Sequence, residues 1–404
     1  MQIFSAPEIL ASLVCTTSGL GLHLLPIQQF HSFSAPFPLS DDLNPVVWLC
    51  TGSCEPPTQM KILLTICLPL AFAVGLSTQV NAATPQQETA NLKYKTIKKW
   101  DTQLPNETFT GIAFKIPVAH AEGDGFLVDN SEFSLEVDTD GNGKPDDKIK
   151  GQGGMTVLKA KSKDGQIFQY AIRVKKSGDG WVYASSGVMS GKLHGVNVTL
   201  IDQNNNGIWN EAGVDAMIVG NGNSASYLSR IVNLKGALFL FDAAESGVSM
   251  SITPYEGDAG TLNGLSEYES KGKLTQAVFS SKDGKVSFDL SDAKNGMLVP
   301  ALEYRFMSGA AEKGAEKVRI RRGKMRSLTV KANAERNVQW GGPLRIEFDS
   351  FRNNDEQVTV NLPSFFGNAE EEYYDFYPGG KSPSILVSDK ATGKEVWSGK
   401  FCES

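Results

Sequence analysis

The sequence is poor in the side chains that most often carry chemistry. Five cysteines and four histidines serve 404 residues, and beyond residue 82 only His120, His194 and Cys402 remain. A lone Cys402 closes no internal disulfide, so in an oxidising compartment the fold must rest on packing or on bound ions. There is no HExxH, no His pair at metal spacing and no GxSxG, which removes the common zinc and serine hydrolase signatures. Gly380-Lys381-Ser382 resembles the end of a phosphate loop, but Asp375 stands where its first glycine belongs. A hydrolase built on two carboxylates leaves no spacing signature and stays open. No segment shows a sustained helical period with caps, so a helical architecture is not expected.

Charge is also missing where it would be expected. Positions 1 to 59 hold neither Lys nor Arg, although 39 of the 404 residues are one or the other. At Met60 the text changes to MK, an apolar run from Ile62 to Leu76, and then STQVNAA, with small residues at Val80 and Ala82 where a signal peptidase reads. Met60 is therefore expected to be the true start, with residues 1–59 outside the real protein, 60–82 a signal peptide and 83–92 a short linker. The apolar core of 15 residues is short for a membrane span, which needs ~20. Cys67 follows Ile66, not a small residue, which speaks against a lipid anchor. Removing residues 1–82 takes away one base (Lys61) and four acids (Glu8, Asp41, Asp42, Glu55), leaving 38 bases against 41 acids. That near balance favours neither nucleic acid nor an anionic membrane as a partner.

What is present is alternation with a period of two. Phe133-Leu135-Val137, Val196-Val198-Leu200, Val286-Phe288-Leu290, Val318-Ile320 and Val358-Val360-Leu362 each set apolar residues on one face of a strand. Turn signals at Asp164-Gly165, Gly178-Asp179-Gly180, Asp283-Gly284 and Thr392-Gly393 punctuate them. The expected class is all-β: a β domain over 93–262 and a C-terminal β-sandwich of the immunoglobulin-like kind over 265–404.

Two stretches align without a gap at a spacing of 64 residues: Asp138 to Asp147, DTDGNGKPDD, and Asp202 to Glu211, DQNNNGIWNE. Each follows a strand-like run and leads into another, as an internal repeat would. Oxygen side chains at every second position, followed by a glycine, suit a hard cation that takes six to eight oxygens. Asp138-x-Asp140-x-Asn142-Gly143-x-x-Asp146 resembles the Asp-rich loops of EF-hands, dockerins and thrombospondin type 3 repeats. That resemblance implies calcium held by Asp138, Asp140, Asn142, Asp146 and the Lys144 carbonyl. In the second loop it implies Asp202, Asn204, Asn206, Asn210 and the Ile208 carbonyl. An EF-hand closes with a bidentate Glu at position twelve, where this chain has Ile149 and Gly213, so Asp147 or Glu211 would supply the last carboxylate, with Asp215 assisting the second loop. Three neutral Asn ligands there predict the weaker site. The alternative is that both stretches are plain hairpin turns, for which Asp, Asn and Gly are also well suited.

Two further stretches stand out. Lys317 to Lys331 carries seven bases in fifteen residues, which reads as a solvated strand face guarding an edge or as a dock for an acidic polysaccharide. In Glu370 to Tyr377, alternation places Tyr373, Asp375 and Tyr377 on one face, either as core or as a sugar-binding surface. Together these features predict an exported, non-catalytic, calcium-stabilised β protein for surface attachment, matrix assembly or ligand binding. Its partner would be a polysaccharide or a cell-surface protein. The alternative is a secreted carbohydrate-active enzyme or its accessory module.

Overall fold

The computed structural model describes residues 86–400, apart from 120, 124, 163–164, 355–356, 379–383 and 390–391, together with Ile9–Val14 and Phe33–Pro36. The expected signal peptide, His120 and Cys402 lie outside the described residues. Ile9–Val14 runs antiparallel to Ser384–Asp389, and Phe33–Pro36 to Gln357–Val360, so strands from the segment expected to precede the true start lie against the C-terminal hairpins.

The fold is all-β, with no helix among the described residues. Four sheets surround a first core. Gly153–Lys161, Ile167–Ser177, Gly180–Ser185 and Thr110–Ile112 form one, and Ser226–Tyr227, Ala216–Val219, Val196–Ile201, Gly187–Leu193 and Lys93–Thr96 a second. The third is Ile231–Leu234, Ala237–Ala243, Ser249–Pro254 and Glu88–Asn91; the fourth is Lys115–Ile116, Phe126–Asn130, Ser134–Val137 and Asp147–Lys150. Leu135, Leu158, Tyr170, Trp181, Leu200 and Phe239 meet between them. A second core gathers on an eight-stranded sheet built around the long pair Lys273–Ser281 and Glu303–Lys313. Its centre is Trp340, packed edge-on to Phe279 and Phe306 and donating its indole N–H to the Gly264 carbonyl at 2.7 Å.

The cores share a wall. In the sheet holding Ala237–Ala243, Phe239 and Phe241 face the first core while Leu238 and Ile231 face the second, the two-sided use that period-two alternation allows. The expected linker is corrected by this same sheet. Glu88–Asn91 pairs with Ser249–Pro254, Asn91 opposite Ser249, and Leu92 is buried in the first core. Its alternating half-buried and exposed residues are those of an edge strand, so the start of the domain is tied to its end. Close to the expected boundary, Ala259–Asn263 pairs with Met297–Pro300 and Glu335–Asn337, and Leu262 belongs to the second core.

Two apolar positions depart from the expected alternation. Phe133 is 76% exposed, because the chain is still turning there and the strand begins at Ser134. Leu362 lies past the end of Gln357–Val360.

Candidate metal centre

Each loop connects two antiparallel strands and closes on its first aspartate. In the first, Asp138 Oδ1 accepts the N–H groups of Gly141 at 2.9 Å and Asn142 at 3.2 Å, and Oδ2 accepts that of Gly143 at 2.8 Å. In the second, Asp202 Oδ1 accepts Asn205 N–H at 2.7 Å and Asn206 N–H at 3.2 Å, and Oδ2 accepts Gly207 N–H at 2.6 Å. The offsets are the same in both. The middle residue repeats as well, since Lys144 N–H donates to Asn142 Oδ1 and Ile208 N–H to Asn206 Oδ1. A carboxylate that collects N–H groups three to five residues on curls the chain into one turn, and a residue with positive φ completes it: Gly143 at 84° and Gly207 at 83°.

Beyond that turn the loops differ. In the first, Asp138 is itself only 1% exposed, but the turn that follows it lies on the surface. Asp140, Asn142, Lys144 and Asp146 are exposed, Asp140 accepts Asn142 N–H at 3.1 Å, and Asp147 accepts the Thr156 hydroxyl at 2.6 Å. Asp146 is turned toward Thr139, accepting its N–H at 2.7 Å and its hydroxyl at 2.9 Å. Those bonds hold its carboxyl below the usual range.

The second loop is sunk into the first core. Asp202 and Asp215 are 1% and 0% exposed, and the Tyr170 hydroxyl donates to Asp202 Oδ2 at 2.6 Å. Glu211 Oε2 accepts the side-chain amides of Asn204 at 2.9 Å and Asn206 at 2.7 Å, while Glu211 N–H donates to Asp215 Oδ2 at 2.9 Å. Asn210 is directed elsewhere, to the Ala243 carbonyl. Among the described residues no basic side chain pairs with Asp202, Glu211 or Asp215; Arg230 goes to Asp242 instead. Burial pushes the Asp202 carboxyl up to about 6 despite its four hydrogen bonds, and Asp215 up to about 8, with the charges of Asp202 and Glu211 adding to the latter. Asn204 Oδ1 is buried without a donor, an oxygen left open at a loop position that the resemblance assigns to the cation.

Two residues of this network were not singled out by sequence reasoning. Asn205 is 2% exposed with φ 66°, and its side chain ties Ser185 N–H at 2.7 Å to the Thr108 carbonyl at 2.9 Å. The signal was present: Asn205 aligns with Gly141, which also has positive φ at 75°, and Asn is the residue that tolerates this conformation while bonding sideways. Tyr170 had no local signal.

Among the described residues no three His, Cys, Asp or Glu side chains are grouped as a metal would need. The basic and aromatic stretches prove to be neighbours, since Glu316–Arg321 pairs with Glu372–Tyr377. Two of the seven bases pair with the aromatic strand, Arg321 with Glu372 at 2.6 Å and Arg319 with Asp375 at 3.2 Å, and Lys317 pairs with Glu312 of the neighbouring strand at 2.9 Å. The expected single face of Tyr373, Asp375 and Tyr377 is corrected by a bulge. Asp375 has φ 52°, so Tyr373 and Phe376 point into the core and Tyr377 is exposed. Compared with known protein families, curated proteins and solved structures, the chain matches none of them.

Proposed function

We propose that this is an exported, non-catalytic β protein, sandwich-like in its layers with an immunoglobulin-like C-terminal part, whose first domain is stiffened by calcium and which serves surface attachment, matrix assembly or ligand binding. The observation that carries this reading is the second loop. Asp202 and Asp215 are buried there without a basic partner, and the Asn204 amide oxygen is orphaned in the same loop, an arrangement that is costly unless protons or a cation neutralise it. Calcium suits the donor set, since Asp202, Asn204, Asn206 and Glu211 offer only oxygen. Bound calcium would supply positive charge where the protein provides none. The chain's own part is to hold the turn, through the three N–H groups and the Tyr170 hydroxyl on Asp202. The first loop has the same turn with its oxygens spread over the surface, which suits a weaker site.

The non-catalytic part is supported by burial: the most perturbed carboxyl groups, Asp202 and Asp215, have no access to a substrate. Export rests on the pattern at residues 60–82. No helix among the described residues is long and apolar enough to cross a membrane; a polysaccharide or a cell-surface protein remains the proposed partner.

Thermal unfolding in EDTA and in millimolar calcium tests the reading. At a free concentration 100 times the dissociation constant, one site adds about 2.7 kcal/mol, a rise of several degrees. The rise should vanish in Asp202→Ala and persist in Asp138→Ala. Equal melting temperatures with and without calcium would reduce both loops to hairpin turns.

A further inference from the structure

Beside the second loop lies a groove of about 690 Å³, within the size range of small-molecule sites. Tyr94, Phe168, Tyr170, Met189 and Trp209 form its walls, and Ile167 and Val248 stand at its mouth, 78% and 54% exposed. The Trp209 ring sits edge-on to Tyr94 at 6.2 Å and to Tyr170 at 6.3 Å. Its indole N–H has no acceptor among the described residues. Gln166 and Gln169 add uncharged amides, and among the described residues the lining contains no Asp, Glu, Lys, Arg or His.

We infer that this groove is a binding site for an uncharged oligosaccharide. A charged ligand would lose its hydration with nothing to pair against. A purely apolar ligand would leave the amides and the indole N–H unanswered. A neutral sugar has both an apolar C–H face for the aromatic wall and hydroxyls for the amides. A second cleft among the described residues, about 440 Å³ where Asn221–Ser224 meets Lys273 and Asp292, is charged and has no described aromatic wall apart from Phe288, so it does not offer the same chemistry. The inference rests on the ligand-binding form of the proposed function and names its substrate class. It also links the groove to the loop, because Gly207 and Trp209 are loop residues and Tyr170 reaches from the groove wall to Asp202. A cation that fixes the loop should then tighten sugar binding.

The test is calorimetric titration of the full chain with neutral gluco-, xylo- and manno-oligosaccharides, in EDTA and in calcium, alongside an acidic oligosaccharide and a fatty acid. The expected result is saturable binding of a neutral glycan, weakened at least about tenfold by Ile167→Glu and Val248→Glu without a change in melting temperature. Trp209→Phe, gentler than Trp209→Ala at a packed site, should weaken it as well. No neutral glycan bound at millimolar concentration, equal binding by the mouth variants, or preference for the fatty acid or the acidic sugar would overturn the assignment. New reducing ends during the titration would overturn the non-catalytic reading and leave the glycan site standing.

Discussion

Two loops with one backbone design differ here in where the rest of the chain puts them. Asp138 and Asp202 accept the same three N–H groups, at offsets of three, four and five residues. The side chains that follow Asp138 are exposed, whereas Asp202 accepts the buried Tyr170 hydroxyl and the N–H of buried Asn205, and the Gln203 N–H beside it donates to buried Asp215. By charge count the first loop is the stronger cation candidate; by environment it is the second, because burial raises the cost of leaving carboxylates without a counter-charge.

The largest effect should come from breaking the two turns in the same way. Asp202→Ala strands three N–H groups and the Tyr170 hydroxyl in the core, and should cost about 3–5 kcal/mol in chemical denaturation. Asp138→Ala frees three N–H groups that water can reach at the surface, and should cost about 1–2 kcal/mol. Equal losses would mean that burial does not distinguish the loops.

The glycines sharpen the same contrast. Gly143→Ala meets no atom within 4 Å, whereas Gly207→Ala would place its methyl 2.7 Å from Val118 Cγ1 and 2.9 Å from Ala119 N. Both carry the left-handed penalty of about 1–2 kcal/mol, and Gly207→Ala adds about 1–3 kcal/mol of overpacking. Comparing the two melting temperatures checks this.

Proton linkage should run in opposite directions. Asp202 and Asp215 are raised from 3.8 to about 6 and about 8, so without calcium the folded chain holds more protons than the unfolded one between those limits. Their contribution to stability therefore falls as pH rises through that window, by at most ~1.4 kcal/mol per pH unit for each group. Calcium, which needs the ionised carboxylates, should flatten the slope, and Asp215→Asn should remove much of it. Asp146 is lowered: its contribution is full above the ordinary carboxyl range and is lost as pH falls through its lowered value. Denaturation series across pH on Asp215→Asn and Asp146→Asn would separate the two signs. The smallest effect belongs to Asp146→Asn at neutral pH, a few tenths to ~1 kcal/mol for exposed hydrogen bonds; a larger loss would show that the surface loop is not as independent as its exposure implies.

Much of the fold was legible from alternation. Leu135 and Val137, Val198 and Leu200, Phe288, Val318 and Ile320 are all buried as period two requires. It failed where the backbone left that period: at Phe133, still in its turn; at Asp375, where a bulge turns Tyr377 outward; and at Glu88–Asn91, a polar strand with little apolar signal. Of the candidate site, the alignment identified the turns but not their depth.

The strands, most turns and the two Asp-x-x-x-x-Gly loops follow from the chain alone, because each depends on chemistry within five residues along it. Only the tertiary structure decided that Asp202 would be buried against Tyr170, that Lys317 would lie beside Tyr377, and that Tyr94, Phe168 and Trp209 would enclose a groove. Those outcomes depend on which strands become neighbours across dozens of residues. Burial, and with it the energy of every charge in the site, is a property of that neighbourhood and not of the local sequence.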